Sequence, residues 1–79
     1  MASTLGEIVA RNLRRIRQEK GLTQEELAHR VGINRNYVGM IERCENSPTV
    51  DVIERISKAL HIDPAILFQR DRTNRVMGG

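Results

Sequence analysis

The stretch Asn34-Arg35-Asn36-Tyr37-Val38-Gly39-Met40-Ile41-Glu42-Arg43 concentrates side chains with the chemistry to read a nucleic acid. An arginine fork donates two hydrogen bonds to guanine, an asparagine amide both donates to and accepts from adenine, and an apolar side chain such as methionine meets a thymine methyl. On a helix turning about 100° per residue, with Ile41 centring the buried side, Asn36, Gly39 and Arg43 fall opposite it and Arg35 and Met40 flank them. Gly39 costs such a helix about 1 kcal/mol relative to alanine, and its missing side chain lets another surface approach the backbone. Gln24 offers a second kind of contact, because at the start of a helix its amide and the neighbouring backbone N–H groups can hold a phosphate. Each of these residues also has a plainer use. Arg35 and Asn36 equally suit a solvated first turn, Tyr37 suits the core with its hydroxyl toward a phosphate, Met40 can pack at an edge, and Gln24 can be an ordinary exposed residue. Glu42 and Glu45 count against a phosphate-facing helix unless Glu42 turns inward and is neutralised.

The elements that must position these side chains are helical. Leu5, Val9, Leu13 and Ile16 form one stripe of a helix running to Lys20, with Arg11, Arg14 and Arg15 off it and Gly21 as its stop. Thr23-Gln24-Glu25-Glu26 has the capping-box form, and Leu27, Ala28 and Val31 give a second helix its buried side. Asn34 caps a third helix to Arg43 that turns Tyr37, Val38 and Ile41 inward. After the loop Asn46-Ser47-Pro48, Thr49 caps a fourth helix with Val50, Ile53, Ile56 and Leu60 facing in, and His61 ends it. Asp63-Pro64 opens a fifth helix carrying Ile66, Leu67 and Phe68. The second and third helices are separated only by Val31-Gly32-Ile33, and a turn that tight is the helix-turn-helix arrangement, with the third helix projecting outward. The fold class expected is therefore all-α, a compact domain of five short helices.

Composition sets limits on function. A chain of 79 residues that is 39% apolar and 29% charged is expected to be one small domain over 1–79, with a core from about 5 to 69 and a frayed tail at 70–79. One Tyr, one Phe and no Trp leave an aliphatic core too small for a deep substrate cavity, and stabilisation by dimerisation is expected. The net charge of +3 favours a phosphate-bearing partner without singling out DNA. A single cysteine excludes an internal disulfide and any multi-Cys zinc site. No apolar stretch approaches the ~20 residues needed to span a bilayer, and Met1 to Thr4 lack a leader layout, so the expected location is cytoplasmic, away from membranes. His29, His61 and Cys44 stand apart, and no glycine-rich phosphate loop is present, so no enzyme, metal or cofactor is expected. Cys44 is expected to be small and half-buried.

The run Gly21-Leu22-Thr23-Gln24-Glu25-Glu26-Leu27-Ala28, then Val31-Gly32-Ile33, Tyr37-Val38, Ile41-Glu42-Arg43, Pro48-Thr49 and Ala59-Leu60 resembles the lambda-repressor-like (Cro/C1-type, XRE-family) helix-turn-helix proteins. The length and the string from Asn34 to Arg43 look most like the controller proteins of restriction-modification systems. The resemblance implies a five-helix domain that regulates transcription by binding double-stranded operator DNA as a homodimer. By the same resemblance Arg35 and Asn36 read base edges, Gln24 and Arg43 hold phosphates and Tyr37 lies at the backbone edge; the residues themselves add Met40 as a base contact, Asn34 as a phosphate contact and Gly39 as a point of close approach. Arg17 and Glu42 then form an ion pair between the first and third helices, and Ile66, Leu67 and Phe68 are the dimer candidates. Activation would add RNA polymerase as a partner, for which Glu25, Glu26 and Glu42 are available acidic residues. Stand-alone phage-like regulators share this size; an antitoxin or adaptor that binds another protein on the same scaffold is the alternative. The family usually has glycine where Cys44 and His61 stand, which marks the exits of the third and fourth helices as departures.

Overall fold

A computed structural model describes residues 4–70, so the tail expected to fray lies, from 71 onward, outside the described residues. Within them the order is α1 (Leu5–Glu19), α2 (Gln24–Val31), α3 (Arg35–Glu42), α4 (Val50–Leu60) and a 3-10 helix, Pro64–Phe68. Each α-helix begins where a short polar side chain takes up free backbone donors. Thr4 and Glu7 form a capping box on α1, Thr23 and Glu26 another on α2, and Asn34 and Thr49 cap α3 and α4.

The helices also stop alike. After each one a residue enters the left-handed region: Gly21 at φ 70°, Gly32 at 82°, Cys44 at 62° and His61 at 58°. The next N–H then reaches back five residues, from Leu22 to Arg17, Ile33 to Ala28, Glu45 to Met40 and Ile62 to Ser57. This closure satisfies carbonyls that the helix leaves open. The two exits without glycine are left-handed like the others, and Cys44 and His61 bear the steric cost of a Cβ there. Cys44, in that turn, is exposed rather than half-buried.

The core is aliphatic. Ile8, Leu13, Leu27, Val38, Ile41, Ile56, Leu60 and Leu67 are fully buried, and Tyr37 packs from the edge against the cluster that all of these but Ile8 form with their neighbours. Two residues expected inside are not. Leu5 is 59% exposed, in the first turn of α1, where no described element covers the stripe, and burial on this helix begins at Ile8. Val50 is 84% exposed: it is the first residue of α4, about 70° off the face centred by Ile53, Ile56, Ser57 and Leu60 and a turn ahead of the part of the helix that packs on the core.

The expected fifth helix is five residues of 3-10 helix, giving four α-helices rather than five. Asp63 and Pro64 start it as the sequence suggests, but Gln69 already returns to extended backbone. The stop comes from α1: the buried Asn12 amide donates to the carbonyls of Leu67 and Gln69, both at 2.8 Å, and so holds the segment open after little more than one turn. This docking drives Leu67 to 0% exposure. Leu67 is therefore core and unavailable to a dimer partner; Ile66 is half-buried and Phe68 is 42% exposed.

Asn12→Ala should lower stability by about 1–3 kcal/mol, because it leaves a buried carbonyl without a donor, and urea unfolding measures this. His61→Gly should raise stability by about 0.5–1 kcal/mol, the relief of left-handed strain less glycine's extra chain entropy, whereas His61→Ala should not. A His61→Gly midpoint below wild type, by glycine's entropy cost of about 0.5–1 kcal/mol, would show that the turn carries no strain.

Candidate nucleic-acid interface

The turn between α2 and α3 is built from both sides. Gly32 supplies the left-handed φ, and Arg55 of α4 donates through Nη2 to the carbonyls of Val31 and Gly32, each at 3.0 Å. That same Nη2 lies 3.0 Å from where a Cβ on Gly32 would stand, so a side chain there is both strained and crowded. Asn34 then caps α3, its side-chain oxygen accepting from the Asn36 N–H.

The turn leaves the first residues of α3 outward. Arg35 and Asn36 are exposed, and among the described residues neither side chain has a hydrogen bond or ion pair. Met40 and Tyr37 are half-buried, with Tyr37 packed against the core. Arg35 shares a shallow depression of about 360 Å³ with Gln24, Thr23, Glu25 and Arg17. The start of α2 is thus brought beside the start of α3. Thr23 and Glu26 occupy each other's backbone donors, which holds the Glu26 carboxyl below the usual carboxylate range, while the N–H groups of Gln24 and Glu25 have no partner within the helix.

Glu42 turns inward. Its carboxylate accepts from Arg17 Nε at 2.7 Å and Nη2 at 3.0 Å, and from Gln24 Nε2 at 3.0 Å. Arg17 also donates through Nη1 to the Leu22 carbonyl at 2.8 Å. Side-chain exposures of 11% and 4% make this a largely buried pair, and the hydrogen bonds to Glu42 hold the guanidinium more firmly protonated than usual. The acidic residue nearest the outward face of α3 is in this way neutralised, and the same carboxylate orients the Gln24 amide.

Gly39 is not the open strip that the helical wheel suggests. It is buried because the Arg43 guanidinium lies over it, with Nη1 only 2.9 Å from an imagined Cβ and the Gln24 amide oxygen 3.6 Å away. Arg43 is in turn paired with Glu45. Gln24, Gly39 and Arg43 therefore come together, while Ile66, Leu67 and Phe68 belong to a different element packed on α1 and α4. Sequence reasoning did not find Arg55, Asn12 or Glu45 in these roles. Only Glu45 had a local signal, an opposite charge two residues from Arg43. Among the described residues no group of His, Cys, Asp and Glu could hold a metal, and no helix is long and apolar enough to cross a membrane.

A helix-turn-helix family model, HTH_3, matches residues 13–67, the span from α1 into the 3-10 helix. The chain belongs to this family. It is similar to the control protein C.SmaI of Serratia marcescens, 35% identical over 72 residues that cover 91% of this chain and 86% of that one. A solved transcription factor, NHTF from Neisseria, superposes with a TM-score of 0.85 at 31% identity, covering 94% of this chain and 85% of its own. The restriction-modification controller protein C.Esp1396I, solved as a tetramer in complex with its natural 35 base-pair operator, matches with a TM-score of 0.76 at 36% identity, covering 85% and 88%. This HTH_3 domain thus shares its fold with transcriptional regulators along nearly its whole described length.

Glu42→Ala should cost about 3 kcal/mol, because it leaves the Arg17 charge buried without its counter-ion, whereas joint replacement by Arg17→Met and Glu42→Leu should recover most of that loss. Denaturant midpoints check this. A single-variant midpoint equal to wild type would show that the pair does not tie α1 to α3.

Proposed function

We propose that this protein is a sequence-specific regulator of transcription that binds double-stranded DNA as a homodimer on a near-palindromic operator, working in the cytoplasm as a binding protein rather than an enzyme. The observation that carries this reading is the pair Arg35 and Asn36, exposed and unpartnered at the start of α3, where residues on a helix in the major groove reach base edges. Gln24 and Arg43 flank them as phosphate contacts and set the register on the duplex, with Asn34 and Tyr37 at the backbone edge and Met40 beside the bases. Gly39 then serves close approach only after Arg43 moves off it.

A homodimer would set two copies of α3 into successive major grooves about 34 Å apart. Of the three candidates for that contact, Phe68 and the exposed edge of Ile66 remain accessible, with Leu67 committed to the core. Likeness to C.SmaI and to C.Esp1396I supports a narrower role, control of restriction-modification gene expression. In an activating role the protein would also meet RNA polymerase.

Selection of bound sequences from random duplex DNA at about 0.15 M salt, followed by sizing of the complex, tests the reading. A near-palindromic site carrying two or more copies of the chain is expected; salt-sensitive binding without sequence preference would remove Arg35 and Asn36 from base reading. On the selected site Arg35→Ala should cost about 1–3 kcal/mol and relax one base preference, while Arg43→Ala should weaken binding to every duplex alike and lower the salt slope by about one.

A further inference from the structure

Arg43 and Glu45 stand at the exit of α3, and the way that helix stops fixes their geometry. Cys44 takes a left-handed φ of 62°, and the Glu45 N–H donates to the Met40 carbonyl at 2.8 Å. The matching position after α1, α2 and α4 is held by Leu22, Ile33 and Ile62, apolar residues that are buried or half-buried. After α3 the position holds an exposed glutamate instead, and its carboxylate turns back along the helix. Both oxygens are taken by one partner, with Arg43 Nε donating at 3.0 Å and Nη2 at 3.1 Å. The remaining nitrogen, Nη1, rests in the space that Gly39 leaves by lacking a side chain. The guanidinium is thereby drawn back along the outer face of α3, although 57% of the side chain is open to solvent.

A carboxylate presents two oxygens to a guanidinium in the same planar fork that a phosphate uses. We propose that Glu45 is an internal stand-in for a DNA phosphate: it holds Arg43 against α3 in the free protein and must be displaced before Arg43 grips the backbone, so Glu45 sets the affinity for duplexes of any sequence. This rests on the DNA-binding reading given above. Arg43 and Glu45 lower each other's free energy as charged species, which is the direction in which both groups are shifted, the arginine up and the glutamate down. Arg35 and Asn36 make no bond to Glu45, so base discrimination is untouched by the exchange.

The test is a double-mutant cycle on the full chain, with dissociation constants measured at low salt for the selected duplex and for a scrambled one. Glu45→Gln should tighten binding about two- to five-fold, the range of an exposed ion pair released on binding, and by the same factor on both duplexes. In an Arg43→Ala background the same change should have no effect. A gain that persists without Arg43 would show only general repulsion between Glu45 and DNA, and would overturn the proposal, as would no gain at all. Failure of every form of the protein, wild type included, to bind either duplex would remove the DNA-binding reading itself and this inference with it. Both side chains are exposed, so the variants are expected to keep the wild-type circular dichroism spectrum.

Discussion

The inward carboxylate of Glu42 is the constraint on which the rest of the interface depends. It ends α3, yet its donors come from α1 and from the first residue of α2, so one side chain sets the relative positions of three helices. Apolar contacts between these helices supply more of the stability, but they are non-directional and tolerate sliding. A carboxylate with a bidentate guanidinium does not. The pair is costly to desolvate, and two apolar residues of similar volume would hold the helices together about as well. They would not hold the Gln24 amide, and they would not fix the Arg17 guanidinium against the Leu22 carbonyl at the entry to α2. The buried charge is better explained by what it orients than by the stability it adds.

A small aliphatic core places a second demand on the chain, which is to stop each helix sharply enough for the next to fold back. All four α-helices meet it with the same left-handed closure, and two of them do so without glycine. The fragment from Asn12 to the Leu67 and Gln69 carbonyls acts in the same spirit at the other end of the domain. In each case a backbone polar group that would otherwise be lost from water is given a partner, and the partner's position decides where the element ends.

Much of this was legible in the sequence because it is local. The caps at Thr23, Asn34, Thr49 and Asp63, the turn at Gly32 and the inward faces of α2 and α3 depend on residues within a few positions of one another. The errors fall where a distant partner decides. Leu5 has the right angle for burial but nothing to pack on, Leu67 is drawn inside because Asn12 docks its segment, and the same contact turns an expected α-helix into a 3-10 helix. The candidate site divides in the same way. Residue type, the helical wheel and the start of α2 singled out Gln24, Arg35, Asn36 and Arg43, and the resemblance to a known family added their roles, whereas the cover over Gly39 and the clamp from Glu45 needed coordinates.

The candidate contacts differ in how far they are organised before any partner arrives. Gln24 is held through one amide hydrogen by Glu42, which leaves the other hydrogen aimed by a buried group. Such a side chain has little rotamer entropy left to lose, and the loss for a free polar side chain at an interface is about 0.5–1.5 kcal/mol. Arg35 and Asn36 have no such support, and in the proposed reading the bases themselves would order them. On a wrong sequence the ordering cost remains while the paired hydrogen bonds are missing, so freedom at these two positions adds to discrimination. An anchor should be rigid and a reader need not be. In the proposed reading, the division between a Gln24 fixed from inside and an Arg35 left free would separate position on the duplex from the reading of its sequence.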